Sequence, residues 1–424
     1  YDADGRFTLD QDRAGLAFHF RYGTDGKCVE SFGDYPDRGG VDPSLVDPPK
    51  TLHDGGPLRG IHHCRFEYVE GLTFVHDSTQ TRNFFPNKHG LLDKFEEGGS
   101  VTRATYRDDG HLMGLQDPCG GVTEYLRDPR GRVTQVTDPL GRMTFVERDS
   151  YGLPTKIVDP ADGETTLERD QRGNLKLVID ALGGVTAFGL DERGLVTQVT
   201  EPNGATTRAT YDAHGNRTTV TQPDGGTWKY THDALGRRLA ATDPLGATTA
   251  YAYSPRGDLL SVRDALGGVT RYTYDGEHHL TQIVSPQGAI TRLDWGGYHK
   301  LVQRTDANGH VVRLGYNVEG ELTHVWNERR EVHRLHYDSA GRLTGEDTFD
   351  GRHLRYRNDA CSRPVRIVDE RKHATELEYD LAGQLTQRTG WTGAKDEFAY
   401  SERGELIAAK TSAQFAASES APCR

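Results

Sequence analysis

The sequence predicts an all-β protein built as a spiralling antiparallel ribbon of β-hairpins. A pattern centred on glycine recurs every 21 residues from Gly110 to Gly404, and twelve of its fifteen anchor positions are glycine. Short runs rich in Thr, Val, Tyr and Leu lie between turn-forming sequences, with apolar residues two apart, which is the period of a strand. Runs with the 3.6-residue period of a helix are absent between these turns. Such strict repetition indicates a repeat array rather than a disordered chain.

Each repeat has two turns, because Asp and Gly recur at fixed places. Asp lies three residues before most anchors, as in Asp233 before Gly236, and a second glycine lies ten residues after the anchor in eleven repeats. The Asp carboxylate caps backbone N–H groups and Gly accepts a positive φ, so each motif predicts a turn. We call the Asp-x-x-Gly turn that ends at the anchor the anchor turn, and the turn at the second glycine the second turn. The segments between them predict strands of about 5–7 residues.

Composition limits the class of protein. The 424 residues are 34% hydrophobic, below the roughly 45–50% of an ordinary globular domain. This excludes one thick apolar core, and no run approaches the about 18 apolar residues of a membrane span. The net charge of -12 argues against nucleic-acid binding.

The cysteines Cys28, Cys64, Cys119, Cys361 and Cys423 are odd in number and far apart, so we expect five free thiols and folding in a reducing cytosol.

Two points of the fold stay open in the sequence. Leu or Val two residues after the anchor and Val or Ile five residues after it differ in parity, as in Val196 and Val199. Either a bulge separates them or one of them faces the opposite side of the sheet. A β-solenoid or a β-propeller with two repeats per blade would also accommodate a two-strand unit. The absence of a 42-residue alternation disfavours the propeller, and the low hydrophobic content disfavours the solenoid.

The recurring Tyr-Asp-x-x-Gly-x-Leu motif, seen at 337–343 and 379–385, resembles the YD-repeat (Rhs) family. The resemblance implies that the ribbon spirals into a hollow shell. In bacterial polymorphic toxins, type VI secretion effectors and insecticidal toxin complexes, such a shell encloses a toxic domain, and animal teneurins are similar. The implied function is the wall of a cocoon that sequesters a toxic polypeptide, secreted after synthesis in a bacterial cytoplasm. The implied partners are the encapsulated toxin domain or the missing remainder of the shell, and a secretion spike or toxin-complex subunit, with no nucleic acid.

The repeat register suggests four regions. We expect YD-type repeats over 1–32, degenerate repeats with a loop or plug over 33–103, fifteen in-register repeats over 104–410 and an unstructured end over 411–424. The chain starts at Tyr1 without a signal-peptide pattern, so we expect an excised piece of a longer protein. The autocleaved core motif that ends bacterial shells is not matched, and self-cleavage is not expected. The region from 33 to 99 is the place where we would expect a partner-binding loop.

Candidate chemical sites are few, and we expect no catalytic, cofactor-binding or metal-binding residues. The repeated Asp residues are read as turn caps rather than calcium ligands. His62, His63 and Cys64 are adjacent on a strand and would point to opposite faces, which disfavours a metal site. His278, His279 and His299 are read as turn substitutions, with a pH-sensitive patch as the alternative.

The alternative functions are a cell-surface adhesion or glycan-binding protein, with sugars stacking on Trp228, Trp295, Trp326 and Trp391, and a hydrolase on a propeller. The register has no insertion from 110 to 404 to carry an active site.

Overall fold

A computed structural model describes residues 1–12, 16–34 and 49–412, and its regular elements are strands and one short 3₁₀ helix. The N-terminal strands are β1 (Leu9–Gln11), β2 (Ala17–Tyr22), β3 (Cys28–Gly33), β4 (Ile61–Val69), β5 (Leu72–His76), β6 (Thr81–Pro86), β7 (Leu92–Glu97), β8 (Ser100–Tyr106), β9 (Leu112–Gln116), β10 (Val122–Arg127) and β11 (Val133–Thr137). The next are β12 (Met143–Arg148), β13 (Pro154–Val158), β14 (Glu164–Arg169), β15 (Leu175–Ile179), β16 (Val185–Leu190), β17 (Val196–Thr200), β18 (Thr206–Tyr211), β19 (Arg217–Thr221), β20 (Thr227–His232), β21 (Arg238–Thr242), β22 (Thr248–Tyr253), β23 (Leu259–Arg263), β24 (Val269–Tyr274), β25 (Leu280–Val284) and β26 (Ile290–Trp295). After the 3₁₀ helix Gly297–His299 come β27 (Leu301–Thr305), β28 (Val311–Tyr316), β29 (Leu322–Trp326), β30 (Val332–Tyr337), β31 (Leu343–Asp347), β32 (His353–Asn358), β33 (Pro364–Val368), β34 (Ala374–Tyr379), β35 (Leu385–Thr389), β36 (Lys395–Tyr400) and β37 (Leu406–Ser412).

The strands belong to one 37-stranded sheet in which sequence neighbours pair antiparallel. The chain divides into two compact units, the first with residues 1–11, 16–143 and 314–412 and the second with residue 12 and 144–313 of the described chain. The first unit pairs β1 through β11 and β29 through β37 in chain order, and the second pairs β12 through β28. The predicted antiparallel ribbon of hairpins is confirmed. The solenoid and propeller alternatives are wrong, because the pairing is antiparallel and continuous rather than parallel or divided into blades.

The region expected to hold degenerate repeats contributes strands β4 to β8, paired in sequence as in the rest of the ribbon. Residues 35–48 of this region lie outside the described residues. Residues 413–424 of the expected C-terminal end also lie outside the described residues. Residues 411 and 412, the first two of that end, belong to β37.

A β-bulge in each repeat resolves the parity of the apolar positions. Between β18 and β19, Tyr211 pairs with Arg217 while the preceding Thr210 pairs with Thr219, so Thr218 is the extra residue. The same shift recurs in the other in-register repeats, for example beside Tyr337 and Tyr379. The bulge therefore lies between the positions two and five residues after the anchor, and their side chains share one face of the sheet.

The tyrosine of the repeat forms a hydrogen bond beyond the end of the short backbone pairing between two strands. Between β17 and β18 the pairing covers Gln198–Thr200 and Thr206–Arg208, so the start of β17 lies beyond it. There the hydroxyl of Tyr211 donates to the carbonyl oxygen of Val196, 2.7 Å away and 15 residues earlier. The equivalent bond recurs from Tyr337, Tyr379 and Tyr400, from the indole N–H of Trp295 and from the amide of Asn358. In these repeats the side chain at this position thus joins one hairpin to the preceding one.

The core is thin, as the composition predicts. The fully buried apolar side chains of the described residues are Leu16, Ala17, Phe32, Leu52, Ile61, Val75, Val220, Ala241 and Val318. Seven of these nine lie in the first unit, at residues 16–75 and 318, so the best-packed part of the molecule is the N-terminal region and not the regular repeats. In the repeats, strands such as β24 and β30 alternate exposed and half-buried residues instead.

Candidate functional site at the turn rows

Most anchor turns are built by an Asp. In the turn 233–236, Asp233 Oδ1 accepts hydrogen bonds from the backbone N–H groups of Leu235 and Arg237, each at 2.9 Å. Asp233 Oδ2 accepts another from Arg237 Nε at 2.6 Å, and Gly236 has the positive φ of 79° that the turn requires. The same pattern recurs at Asp128, Asp338 and Asp359. The carboxylate oxygens are therefore used inside the turn, and the prediction that these Asp residues cap turns is confirmed.

The histidines at anchor positions adopt the backbone of the glycines they replace. His278 and His299 have φ of 66° and 62°, so the prediction of tolerated turn substitutions is confirmed. Each reaches the residue 20 positions earlier: His278 Nδ1 lies 2.6 Å from Asp258 Oδ1, and His299 Nδ1 contacts His279 Nε2. His279 Nδ1 also lies 2.9 Å from Asp275 Oδ2. The pH-sensitive patch stays a prediction, which a titration of the chain between pH 5 and 7 tests.

The row of second turns in the first unit contacts its row of anchor turns 241 to 260 residues further along the chain. We call this the cross-row contact, with residues 62–142 on one side and 318–404 on the other. His62 N–H donates to Val318 O at 2.8 Å, and Ser100 Oγ donates to Ala360 O at 2.7 Å. Arg342 donates to Gly98 O at 3.3 Å, and further along Arg142 donates to Gln384 Oε1 at 3.1 Å. The contact is thus a series of polar bonds at offsets of 242 to 260 residues along the chain.

Two glycines allow the rows to approach closely. A Cβ at Gly98 would lie 2.3 Å from Ala340 Cβ, and one at Gly121 would lie 2.7 Å from Leu381 O. Both distances are far inside van der Waals contact, so a side chain at either position would push the rows apart.

A disulfide joins Cys119 to Cys361 across this contact, with a Cα–Cα distance of 5.7 Å. The prediction of five free thiols is therefore wrong for these two residues. It failed because their separation of 242 residues in sequence hides that both occupy the third position of a turn, Cys119 in the second turn 117–120 and Cys361 in the anchor turn 359–362. Cys28 and Cys64 are free, as predicted, and Cys423 lies outside the described residues. Other second turns have a leucine at this position, such as Leu140 and Leu182. The presence of a cysteine there instead was the signal in the sequence that could have indicated the disulfide.

The two sulfurs and the carboxylate of Asp117 form a cluster whose ligand atoms lie within 4.8 Å of one another. Three observations make this a poor cation site. The sulfurs are bonded to each other, and the guanidinium of Arg363 lies 3.2 Å from Cys119 Sγ. Asp117 Oδ1 already accepts the N–H groups of Cys119 and Gly121, each at 2.9 Å. The arrangement fits cysteine chemistry better than metal binding.

A half-buried carboxyl group lies at another point of the cross-row contact. Glu319 Oε1 accepts hydrogen bonds from the N–H and the hydroxyl of Ser78. Burial raises the pKa of Glu319 above its ordinary value of 4.5, although the bonds from Ser78 oppose the shift. The strength of this contact is therefore linked to a proton.

The adjacent residues His62, His63 and Cys64 turn to different partners. His63 is 1% exposed, accepts the N–H of Arg59 at its Nδ1, and places Nε2 3.0 Å from Glu30 Oε1. Burial lowers the pKa of His63. Cys64 faces Arg82 instead, and burial raises the pKa of its thiol to about 11. The side chains of His63 and Cys64 thus have separate partners.

Two of the four tryptophans, Trp295 and Trp326, pack within the ribbon. Trp295 donates to the backbone of the preceding hairpin, as described above, and Trp326 stacks on His324 with ring centroids 5.3 Å apart. Trp391 is 62% exposed and stacks on His373 at 4.1 Å, whereas Trp228 is 36% exposed. Trp391 is therefore the tryptophan that offers the most free ring surface. Among the described residues, no helix is long and apolar enough to cross a bilayer.

Comparison with known proteins agrees with this architecture. The RHS Repeat family model matches residues 169–207, 211–249 and 253–290, each about two 21-residue periods long. A search of curated proteins finds no match.

Among solved structures, the crystal structure of TcdB2-TccC3 without its hypervariable C-terminal region aligns over 93% of this chain and 23% of that chain, with a TM-score of 0.67 and 14% identity. The Photorhabdus luminescens Tc holotoxin pore with the TccC3 D651A mutation aligns over 93% of this chain and 30% of that chain, with a TM-score of 0.56 and 15% identity. At these identities the likeness concerns the fold, and this chain spans less than a third of either structure's chain. The 21-residue register, the tyrosine-fastened hairpins and the family match together show that the chain carries RHS repeats within residues 169–290.

Proposed function

We propose that this chain is part of the wall of a hollow shell that encloses a toxic polypeptide and performs no reaction itself. The observation that carries the proposal is the cross-row contact. A strip whose second turns meet its own anchor turns at offsets of 242 to 260 residues is a strip that curves back alongside itself. The bulge in each repeat supplies curvature, because bulges bend strands and increase their twist. The likeness in fold to Tc toxin structures supports the same role.

A passive role fits the chemistry of the repeats. The Asp carboxylates are used as turn caps, and the tyrosine hydroxyls are used as donors to neighbouring hairpins. An active site usually occupies an inserted loop on a regular scaffold, and the repeats from 110 to 404 keep their register throughout.

The wall is proposed to need the remainder of a shell as its partner. Third-position residues of the second turns in the second unit, Leu182, Leu245 and Leu266, are 94%, 94% and 98% exposed. The equivalent residue of the first unit, Cys119, is half-buried against an anchor turn. Exposed leucines at a position that elsewhere docks on a turn support an interaction with further YD repeats. Delivery as a secreted bacterial toxin, with a spike or toxin-complex subunit as a second partner, belongs to the same proposal.

Negative-stain electron microscopy of the purified chain tests the wall proposal. The expected particle is a curved wall that bounds a stain-filled void. A solid particle of the same mass would overturn the proposal.

A second candidate, glycan binding, rests on Trp391, whose exposed ring stacks on His373. A glycan array gives binding that is lost in Trp391→Ala if this function is present. The matched control is Trp326→Ala, because Trp326 is a wall residue whose ring is half-buried.

A further inference from the structure

We propose that Cys119 and Cys361 form a thiol–disulfide exchange site whose substrate is an external dithiol reductant, and that this exchange unfastens the cross-row contact. The remaining bonds of that contact are hydrogen bonds between half-buried or exposed polar groups, such as Ser100 with Ala360 and Arg142 with Gln384. Such bonds individually contribute little. The disulfide is the covalent link among them, and it closes a segment of 242 residues.

The bond is placed where a small reductant can reach it. Both cysteines are half-buried at the third position of their turns. A pocket of about 390 Å³ lies beside Cys361, lined in part by Phe95, Glu97 and Arg342. Cys64 offers a contrast within the same unit, because its burial raises the pKa of the thiol to about 11 and keeps it inert at neutral pH.

The surroundings give the exchange a direction. Asp359 holds the guanidinium of Arg363 through bonds of 2.7 and 2.8 Å, and that guanidinium lies 3.2 Å from Cys119 Sγ. A cation beside a sulfur stabilises its thiolate, and the more stable thiolate is the better leaving group. Cys361 Sγ is therefore the sulfur that is attacked.

The steps balance as follows. A thiolate of the dithiol attacks Cys361 Sγ, the Cys119–Cys361 bond breaks, and Cys119 leaves as a thiolate beside Arg363. The second thiol of the reductant then displaces Cys361 as a thiolate and forms the reductant's own disulfide. Two electrons pass from the reductant to the cystine, and the two protons released by its thiols are available to the two cysteines.

Reduction of the disulfide would weaken the cross-row contact without unfolding the strands. The strand ladders and the tyrosine bonds join sequence neighbours and do not depend on the cross-row contact. If the chain is a wall as proposed above, reduction in a host cytosol would loosen that wall there and leave it fastened outside. Only this consequence rests on the proposed function, and the exchange chemistry stands without it.

Thiol counting and peptide mapping test the bond first. The chain has five cysteines, so the air-oxidised, denatured protein is expected to show three reactive thiols and a non-reducing peptide link between Cys119 and Cys361. Five thiols, or a link between other cysteines, would overturn the proposal.

The rate of reduction by dithiothreitol tests the direction. Arg363→Gln is expected to slow reduction about threefold, as a leaving thiol with a pKa about one unit higher would, whereas Arg363→Lys keeps the charge and most of the rate. Equal rates in all three proteins would contradict the role of Arg363 as a positioning residue.

Hydrogen exchange tests the unfastening. Dithiothreitol is expected to speed exchange about tenfold, or about 1.4 kcal/mol, in residues 98–121 and 340–363, while strands β17 to β24 keep their rates. The double variant Cys119→Ser with Cys361→Ser shows the faster exchange without reductant and no response to it, and Cys28→Ser behaves as the parent protein. If hydrogen exchange does not change on reduction, the disulfide does not hold the cross-row contact together, and this proposal is refuted. A solid particle in electron microscopy would instead refute only the proposed function as a shell wall.

Discussion

The third positions of the turns behave differently in the two units of the molecule. In the first unit Cys119 and Cys361 are half-buried against each other, and Leu140 is 43% exposed. In the second unit the equivalent leucines are almost fully exposed, and the anchor-turn residues Tyr151 and Leu235 are 90% and 74% exposed. The strands and turns are the same in both. The repeat therefore fixes local structure, whereas burial of its turns depends on whether a second row lies against them.

The largest effect is expected from a matched pair of glycines. A Cβ at Gly121 or at Gly184 meets the turn Asp at 2.6 or 2.5 Å, but at Gly121 it also meets Leu381 O at 2.7 Å. Gly121→Ala is expected to cost about 2 kcal/mol more than Gly184→Ala, as overpacking does. Hydrogen exchange of residues 117–121 and 377–384 measures the difference. Equal costs would mean that the rows do not touch at this point.

The hydrogen bonds of the repeat tyrosines are expected to contribute equally to stability in the two units. Tyr337 and Tyr211 each donate to the preceding hairpin, at 2.9 and 2.7 Å. Burial raises the pKa of Tyr337, which keeps its hydroxyl protonated as a donor. Each substitution by Phe is expected to lower the free energy of unfolding by about 1 kcal/mol, measured by urea denaturation. A much larger loss at Tyr337 would show that this bond serves the cross-row contact instead.

The cross-row contact should weaken as pH rises through the pKa of Glu319. Because burial raises that pKa above 4.5, the folded state holds the proton more tightly than the unfolded state. The stabilisation is full below pH 4.5 and is lost as pH rises through the folded pKa. Hydrogen exchange near Ser78 as a function of pH, after correction for intrinsic rates, measures this slope. Glu319→Gln should abolish it, and the exposed Glu402→Gln should not.

The smallest effect is expected at the free turns. Leu245→Ser, at a side chain that is 94% exposed, should change the free energy of unfolding by less than about 0.5 kcal/mol. Leu140→Ser, at the equivalent but partly covered position, should cost more. The reverse order would show that the second unit's turns are covered in solution.

Most of the ribbon was predictable from the sequence because its determinants are local. Asp and Gly at fixed spacing specify the turns, and Tyr211 and its equivalents mark strand ends. The bulge was predictable only as one of two alternatives, because parity alone does not say whether Thr218 is inserted or Val220 is turned outward. Pairing then settles it, since Tyr211 lies opposite Arg217.

The site was less predictable because it is not local. Nothing in the neighbourhood of Cys119 points to Cys361, and their pairing depends on how many repeats the strip needs before its rows meet. The same is true of Glu319, which looks like any surface acid until Ser78 lies against it. The rule that cysteines far apart in sequence are free thiols fails in a repeat protein for this reason.

A cryo-electron microscopy map of the chain tests the central claim most directly. We predict that the turn at 117–120 lies against the turn at 359–362, in a curved sheet around a void, with Leu182, Leu245 and Leu266 pointing into solvent. A map in which these two turns lie apart, or in which side chains fill the space enclosed by the sheet, would contradict the account.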